Sequence, residues 1–151
     1  MAFDDPAITI TGNLAGDPEL RFTASGTAVV SFTVAHTPRQ KNAAGEWVDG
    51  TTLFLRCNAW RYLAEHVAES LSKGQRVTVR GTLRANKWTT DKGEERTSFE
   101  VTADDVAASL TYANVKITKA ARNGSDVPPP SDPWTGEVAT SAERPEASAE
   151  A

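Results

Sequence analysis

The chain has 151 residues, 39% of them hydrophobic, which allows one ordinary domain with its core plus an appendage and excludes two full domains. No run of about 18 apolar residues occurs, and the opening "MAFDDPAITI" carries acids where a secretory leader carries bases, so a cytoplasmic protein without membrane association is expected. One cysteine, Cys57, excludes an internal disulfide framework, and with only His36 and His66 beside it no zinc-ligand spacing exists.

In chain order, "ITITGNL" and "ELRFTASGTAVVSFTVA" alternate apolar and polar residues and predict strands, with "AGDPE" and "ASG" as turn signals. "HTPRQKNAAGEWVDG" predicts a loop or open hairpin, and "TLFLRCNAW" a third strand. "RYLAEHVAESLSKG" predicts the helix: Leu63, Val67 and Leu71 recur every four residues, Lys73 suits the negative end of the dipole, and Gly74 can cap it. Strands are expected over Gln75–Trp88 and Arg96–Val106, joined through "TTDKGEE", where Asp91, Lys92 and Gly93 suit a hairpin turn. "LTYANVKITKA" alternates more weakly and predicts a further edge strand.

From Ala121 the composition changes. This segment holds five of the eight prolines, including Pro128, Pro129 and Pro130, and few core-forming residues, so residues 121–151 are expected to be a disordered tail behind a domain spanning 1–120. The tail also explains the net charge of −4. From Arg122 onward six acids face two arginines; removing them from 20 acidic and 16 basic residues leaves 14 of each in residues 1–121. A locally basic face on a neutral domain is therefore compatible with an acidic chain.

Five strands with a helix between the third and fourth is the element order of the OB-fold, an all-β five-stranded Greek-key barrel. An open sandwich is the alternative, and a helix able to plug one barrel end favours the barrel.

Two strands carry the chemistry. Within "VTVRGTLRANKW", Val77, Val79, Gly81, Leu83 and Ala85 share one side, while Thr78, Arg80, Thr82, Arg84, Asn86 and Trp88 share the other. In the third strand Leu53, Leu55, Cys57 and Ala59 oppose Phe54, Arg56, Asn58 and Trp60. Each strand thus has an aliphatic side and a side of aromatics beside arginines. Such a surface suits unpaired nucleic acid: bases stack on the rings and arginines take the phosphates. The alternation fits equally well with Phe54 and Trp60 filling the core or a subunit contact. The loop at 37–50 adds Arg39, Lys41 and Trp47, and the hairpin after Trp88 adds Lys87, Lys92 and Arg96.

Catalysis is not expected. Asp104 and Asp105 are adjacent in a strand and so point apart, His66 lies on the helix, and there is neither a glycine-rich phosphate loop nor a nucleophile elbow. No cofactor or metal is implied. Cys57 reads as a small buried hydrophobe, and an intersubunit disulfide would need a second Cys57 within about 7 Å between Cα atoms.

The segments "TGNLAGDPELRFTASGTAVVSFTVA", "TLFLRCNAW", "LAEHVAESLSKGQRVTVRGTLRANKW" and "DKGEERTSFEVTADDV" resemble the bacterial single-stranded DNA-binding proteins of the actinobacterial branch, over about residues 6 to 120. The resemblance implies a homotetramer of OB-folds that wraps single-stranded DNA without sequence preference, in replication, recombination, repair or chromosome segregation at the nucleoid. It places stacking roles on Phe54, Trp60 and Trp88. A further family aromatic falls at Arg39, a departure that leaves open whether Trp47 substitutes. The end "ERPEASAEA" lacks the acidic Pro-Phe tip through which family members dock on partner proteins, so a paralogue without that recruitment is expected; Trp134 in "DPW" is the nearest substitute. A protein-interaction OB-fold and an RNA-binding one of the cold-shock kind are the alternatives. The arginines beside the aromatics favour nucleic acid over the first, and the lack of a dense "G-F-G-F-I"-like strand disfavours the second.

Overall fold

In a computed structural model, residues 4–120 are described; the expected disordered tail and Trp134 lie outside them. The compact unit reaches Val115, and residues 116–120, which belong to a second unit, contain neither helix nor strand.

The elements are β1 (Ala7–Leu14), β2 (Glu19–Phe22), β3 (Ala28–His36), β4 (Arg39–Lys41), β5 (Trp47–Asp49), β6 (Leu53–Trp60), α1 (Tyr62–Ser70), β7 (Arg76–Thr89) and β8 (Glu95–Ala108). The sheet runs β1-β7-β8-β6-β3-β2, and an additional β1–β3 pairing closes it. The ring of β1, β3, β6, β8 and β7, with β6 and β8 parallel and the other pairs antiparallel, is the OB-fold barrel. β2 lies outside the ring against β3, and β4 with β5 forms the hairpin that the polar stretch allowed.

Alternation explains the core. Ile10, Val30, Phe32, Val34, Leu55, Cys57, Val77, Val79 and Val101 point inward and are buried. The helix packs on β3 and β6 and adds Ala64 and Val67. Two glycines let backbones meet. A Cβ at Gly12 would strike the Ala35 carbonyl where β1 passes from β7 to β3, and one at Gly81 would strike the Thr102 carbonyl. At Gly81 the ladder also slips: Arg80 pairs with Asp105 but Gly81 with Ala103, which leaves Asp104 as a bulge.

Three expectations are corrected. The helix ends at Ser70, earlier than Gly74, because Leu71 is already extended and Lys73 N–H donates to Asp17 Oδ1 at 2.8 Å, while Gly74 N–H donates to Leu14 O at 2.9 Å. Gly74, at φ 86, serves the following turn and caps no helix; no base occupies the last helical turn. The segment "LTYANVKITKA" forms no strand, since its backbone finds no ladder among the described residues. Asp104 and Asp105 do not divide between inside and outside. At the bulge both are exposed, so adjacency no longer implies opposite faces.

Candidate nucleic-acid interface

Cross-strand register turns the outward residues of β6, β7 and β8 into one surface. Arg84 pairs with Glu100, Glu100 with Arg56 and Arg56 with Thr33, which makes a row across four strands. The next row runs Thr82, Thr102, Asn58, Ser31 and Glu19. Trp60 pairs with Val29, whose other neighbour is Arg21, while Phe54 pairs with Ala35 at the opposite end of β6. Trp88 pairs with Arg96 near the tip of the β7–β8 hairpin, and Arg80 with Asp105 near the bulge.

The three candidate stacking rings stand in solvent: Phe54 is 64% exposed, Trp60 46% and Trp88 49%. None fills the core of this chain. Trp60 is aimed by a sharp turn, because the next residue, Arg61, has φ 61 and ψ −133 and is pinned by its N–H donating to Ala28 O at 2.8 Å. A side-chain residue there carries backbone strain of about 1–3 kcal/mol, of the kind that collects at binding sites.

The cations fall into two groups. Arg84 Nε contacts Asp5 Oδ2 at 3.1 Å, and Arg39 Nε lies 3.7 Å from Asp49 Oδ1 with its Nη2 donating to Trp47 O at 3.4 Å. Arg96 contacts Glu94 at 3.0 Å. The Arg39 and Arg96 pairs are largely exposed and the Arg84 pair half-buried on its Asp5 side; exposed pairs of this kind are worth about 0–1 kcal/mol each, so a phosphate can displace the acid. Arg56, Arg80 and Lys87 form no ion pair among the described residues. Trp47 stands apart on the β4–β5 hairpin, 60% exposed, with Lys41 Nζ 5.3 Å from its ring centroid. The structure thus places Phe54, Arg56 and Trp60 on β6 and Arg84 and Trp88 on β7, on one exterior face with β8 between, carries Arg80 and Lys87 along β7, and leaves Arg39 and Trp47 on a separate hairpin.

Several residues of this surface escape sequence reading. Glu100 sits midway in the arginine row, and its Oε2 accepts from Asn58 Nδ2 at 3.1 Å. Arg21 and Phe22 of β2 join Arg56, Asn58, Trp60 and Glu100 around an open cleft of about 360 Å³. Alternation in "SFEVTA", with Val101 inward, was signal enough to turn Glu100 outward; its place between two arginines depends on pairings that one strand cannot reveal.

Among the described residues no three His, Cys, Asp or Glu side chains cluster as metal ligands, and no helix is long and apolar enough to cross a membrane. Cys57 is fully buried, and that burial pushes its thiol up to about 12.

The comparisons agree with this architecture. The model of the "Single-strand binding protein family" matches residues 6–109. A "Single-stranded DNA-binding protein" of Mycobacterium leprae is 57% identical over 121 residues, covering 80% of this chain and 72% of the relative. A protein of the same description from Mycolicibacterium smegmatis is 55% identical, with 80% and 73% covered. Among solved structures, a small single-stranded DNA-binding protein from Streptomyces coelicolor superposes with a TM-score of 0.64 at 31% identity, over 72% of this chain and 97% of its own. The family is one of binding proteins and not of enzymes. With an OB-fold barrel, a family match over residues 6–109 and relatives above half identity, the chain belongs to the single-strand binding protein family.

Proposed function

We propose that the exterior face of β6, β7 and β8 binds single-stranded DNA by stacking bases on Phe54, Trp60 and Trp88 and holding phosphates with Arg56, Arg80 and Arg84, while Lys87 adds a cation from the other side of the exposed β7–β8 hairpin. One observation carries the reading: three exposed rings stand beside arginines on the exterior of β6 and β7, which flank β8 in the sheet. Every base has a π-face, so stacking at about 1–3 kcal/mol per base tolerates any sequence, and duplexes are refused because their bases are not splayed. Arg39 and Trp47 extend the path along the β4–β5 hairpin. The protein protects exposed strands during replication, recombination, repair or chromosome segregation. It acts as a homotetramer at the nucleoid through a binding domain of residues 1–120.

Titration with oligo-dT, the matching RNA and a duplex, at two salt concentrations, tests this. Tight binding to oligo-dT that weakens with salt is expected, with the duplex far weaker; preference for duplex or RNA overturns it. Light scattering with and without oligo-dT tests the tetramer.

A further inference from the structure

Glu100 is at odds with its position. On β8 it is the Cα partner of Arg84 on one side and of Arg56 on the other, so a row of phosphate-seeking cations has a carboxylate at its centre. Neighbouring strands lie about 5 Å apart, within easy reach of an arginine side chain, and an acid between two such cations ordinarily closes on one of them. Glu100 does not. Among the described residues it forms no ion pair, and neither does Arg56, while Arg84 turns instead to Asp5 at 3.1 Å.

The neighbouring row of the sheet explains this. Asn58 Nδ2 donates to Glu100 Oε2 at 3.1 Å, and Asn58 Oδ1 accepts from the Ser31 hydroxyl at 2.8 Å. Ser31 is buried, and with the amide oxygen committed to its hydroxyl the amide nitrogen is turned to Glu100. The carboxylate is thus tied to a neutral donor that leaves its charge uncompensated. Arg56 and Glu100 both line the cleft of about 360 Å³ beside Trp60, each without an ionic partner.

We propose that Asn58 is a brace with two effects on a bound strand. It keeps Glu100 off Arg56, which leaves that guanidinium ready for a phosphate, and it holds the Glu100 charge where it repels the phosphates on either side. The face therefore grips less tightly than its cations alone would, and the strand leaves sooner. Both effects act on phosphates, which every nucleotide carries, so neither depends on the base. The inference rests on the proposed DNA-binding face and gives that face its regulation: the stacking rings and arginines hold the strand, and Glu100 sets how long it stays.

Oligo-dT is titrated at several salt concentrations against the full chain and against Glu100→Gln, Asn58→Ala, Asn58→Val and the double variant Asn58→Ala with Glu100→Gln. Stopped-flow displacement by excess competitor oligo-dT gives dissociation rates, and circular dichroism verifies folding. Glu100→Gln keeps an oxygen for Asn58 and loses only the charge. It is expected to slow dissociation about threefold per neighbouring phosphate, the repulsion of unit charges roughly 6 Å apart in water, and to steepen the salt slope by up to about 0.7. Both Asn58 variants release Glu100 onto Arg56 and are expected to weaken binding about threefold, within what an exposed ion pair costs to break. That loss disappears in the double variant, where no carboxylate remains to close on Arg56. Dissociation and salt slope unchanged by Glu100→Gln overturn the repulsive role while leaving the binding face intact. No loss from either Asn58 variant, or an equal loss with and without Glu100, overturns the brace. Failure of the parent chain to bind oligo-dT overturns both this inference and the face it rests on.

Discussion

The two halves of β7 share one sequence pattern and have different fates. From Val77 to Leu83 the strand lies over the barrel, and Val77, Val79 and Gly81 are buried while Arg80 is exposed. From Arg84 to Thr89 the same alternation continues, yet every residue is exposed, because beyond the Arg84–Glu100 pair β7 and β8 pair only with each other as a hairpin beyond the core. Alternation states which residues share a side; burial also needs a layer to cover that side. In the first half the inward side chains set stability. In the second half stability is indifferent and the side chains are free for a ligand.

The largest effect expected is at the covered half. Val79→Asp places an uncompensated charge in the core and should cost about 3–5 kcal/mol in denaturant unfolding, whereas Asn86→Asp, on the projecting half, should stay within about 0.5 kcal/mol. Similar losses for both would erase the distinction. The reverse asymmetry holds for binding. Trp88→Ala should weaken oligo-dT binding by about 1–3 kcal/mol, read by titration, with little change in melting. Trp60→Ala should weaken binding comparably and also lower stability, since Trp60 is the cross-strand partner of buried Val29.

Cys57 gives a titratable view of the covered region. Its thiol lies at about 12 in the fold against an ordinary value of 9.0, raised by burial. The unfolded chain therefore releases a proton that the folded chain keeps, so this group's contribution is fully present below pH 9 and is lost as pH rises towards 12. The loss should be about 1.4 kcal/mol per pH unit within that window, and Cys57→Ala should remove it from stability curves measured at several pH values. Thiol reagents should modify Cys57 only on unfolding. The smallest effect is expected at the junction of the two halves. Asp5→Asn frees Arg84, changing stability by about 0.5 kcal/mol or less, but it should tighten DNA binding at low salt and steepen the salt dependence, measured by titration across salt concentrations.

The same contrast marks what the sequence made legible. The apolar sides of the third and fourth long strands, the inward placement of Cys57 and the outward placement of Phe54, Trp60, Arg84 and Trp88 all follow from a period of two, a local property. The barrel was legible from element order. The Asp104 bulge was not, because it arises from the close approach of Gly81 to Thr102 on another strand. Nor were the acids of the binding face: Asp5 meets Arg84, and Glu100 meets Asn58, across 79 and 42 residues of chain. The misread helix end has the same origin, since Leu14 at the end of β1 and Asp17 just after it take the N–H groups of Gly74 and Lys73. Local periodicity reveals faces, while register and capping partners are decided between segments.

The central claim is that the rings on the exterior of β6 and β7 hold unpaired bases. Tryptophan fluorescence of the parent chain, of Trp60→Ala and of Trp88→Ala, titrated with oligo-dT and with a duplex, tests it most directly. Strong quenching by oligo-dT and little by duplex is expected, with smaller quenching and affinities weaker by about 1–3 kcal/mol in each folded variant. Unchanged affinity in both variants would contradict the account and move the DNA to another face of the barrel.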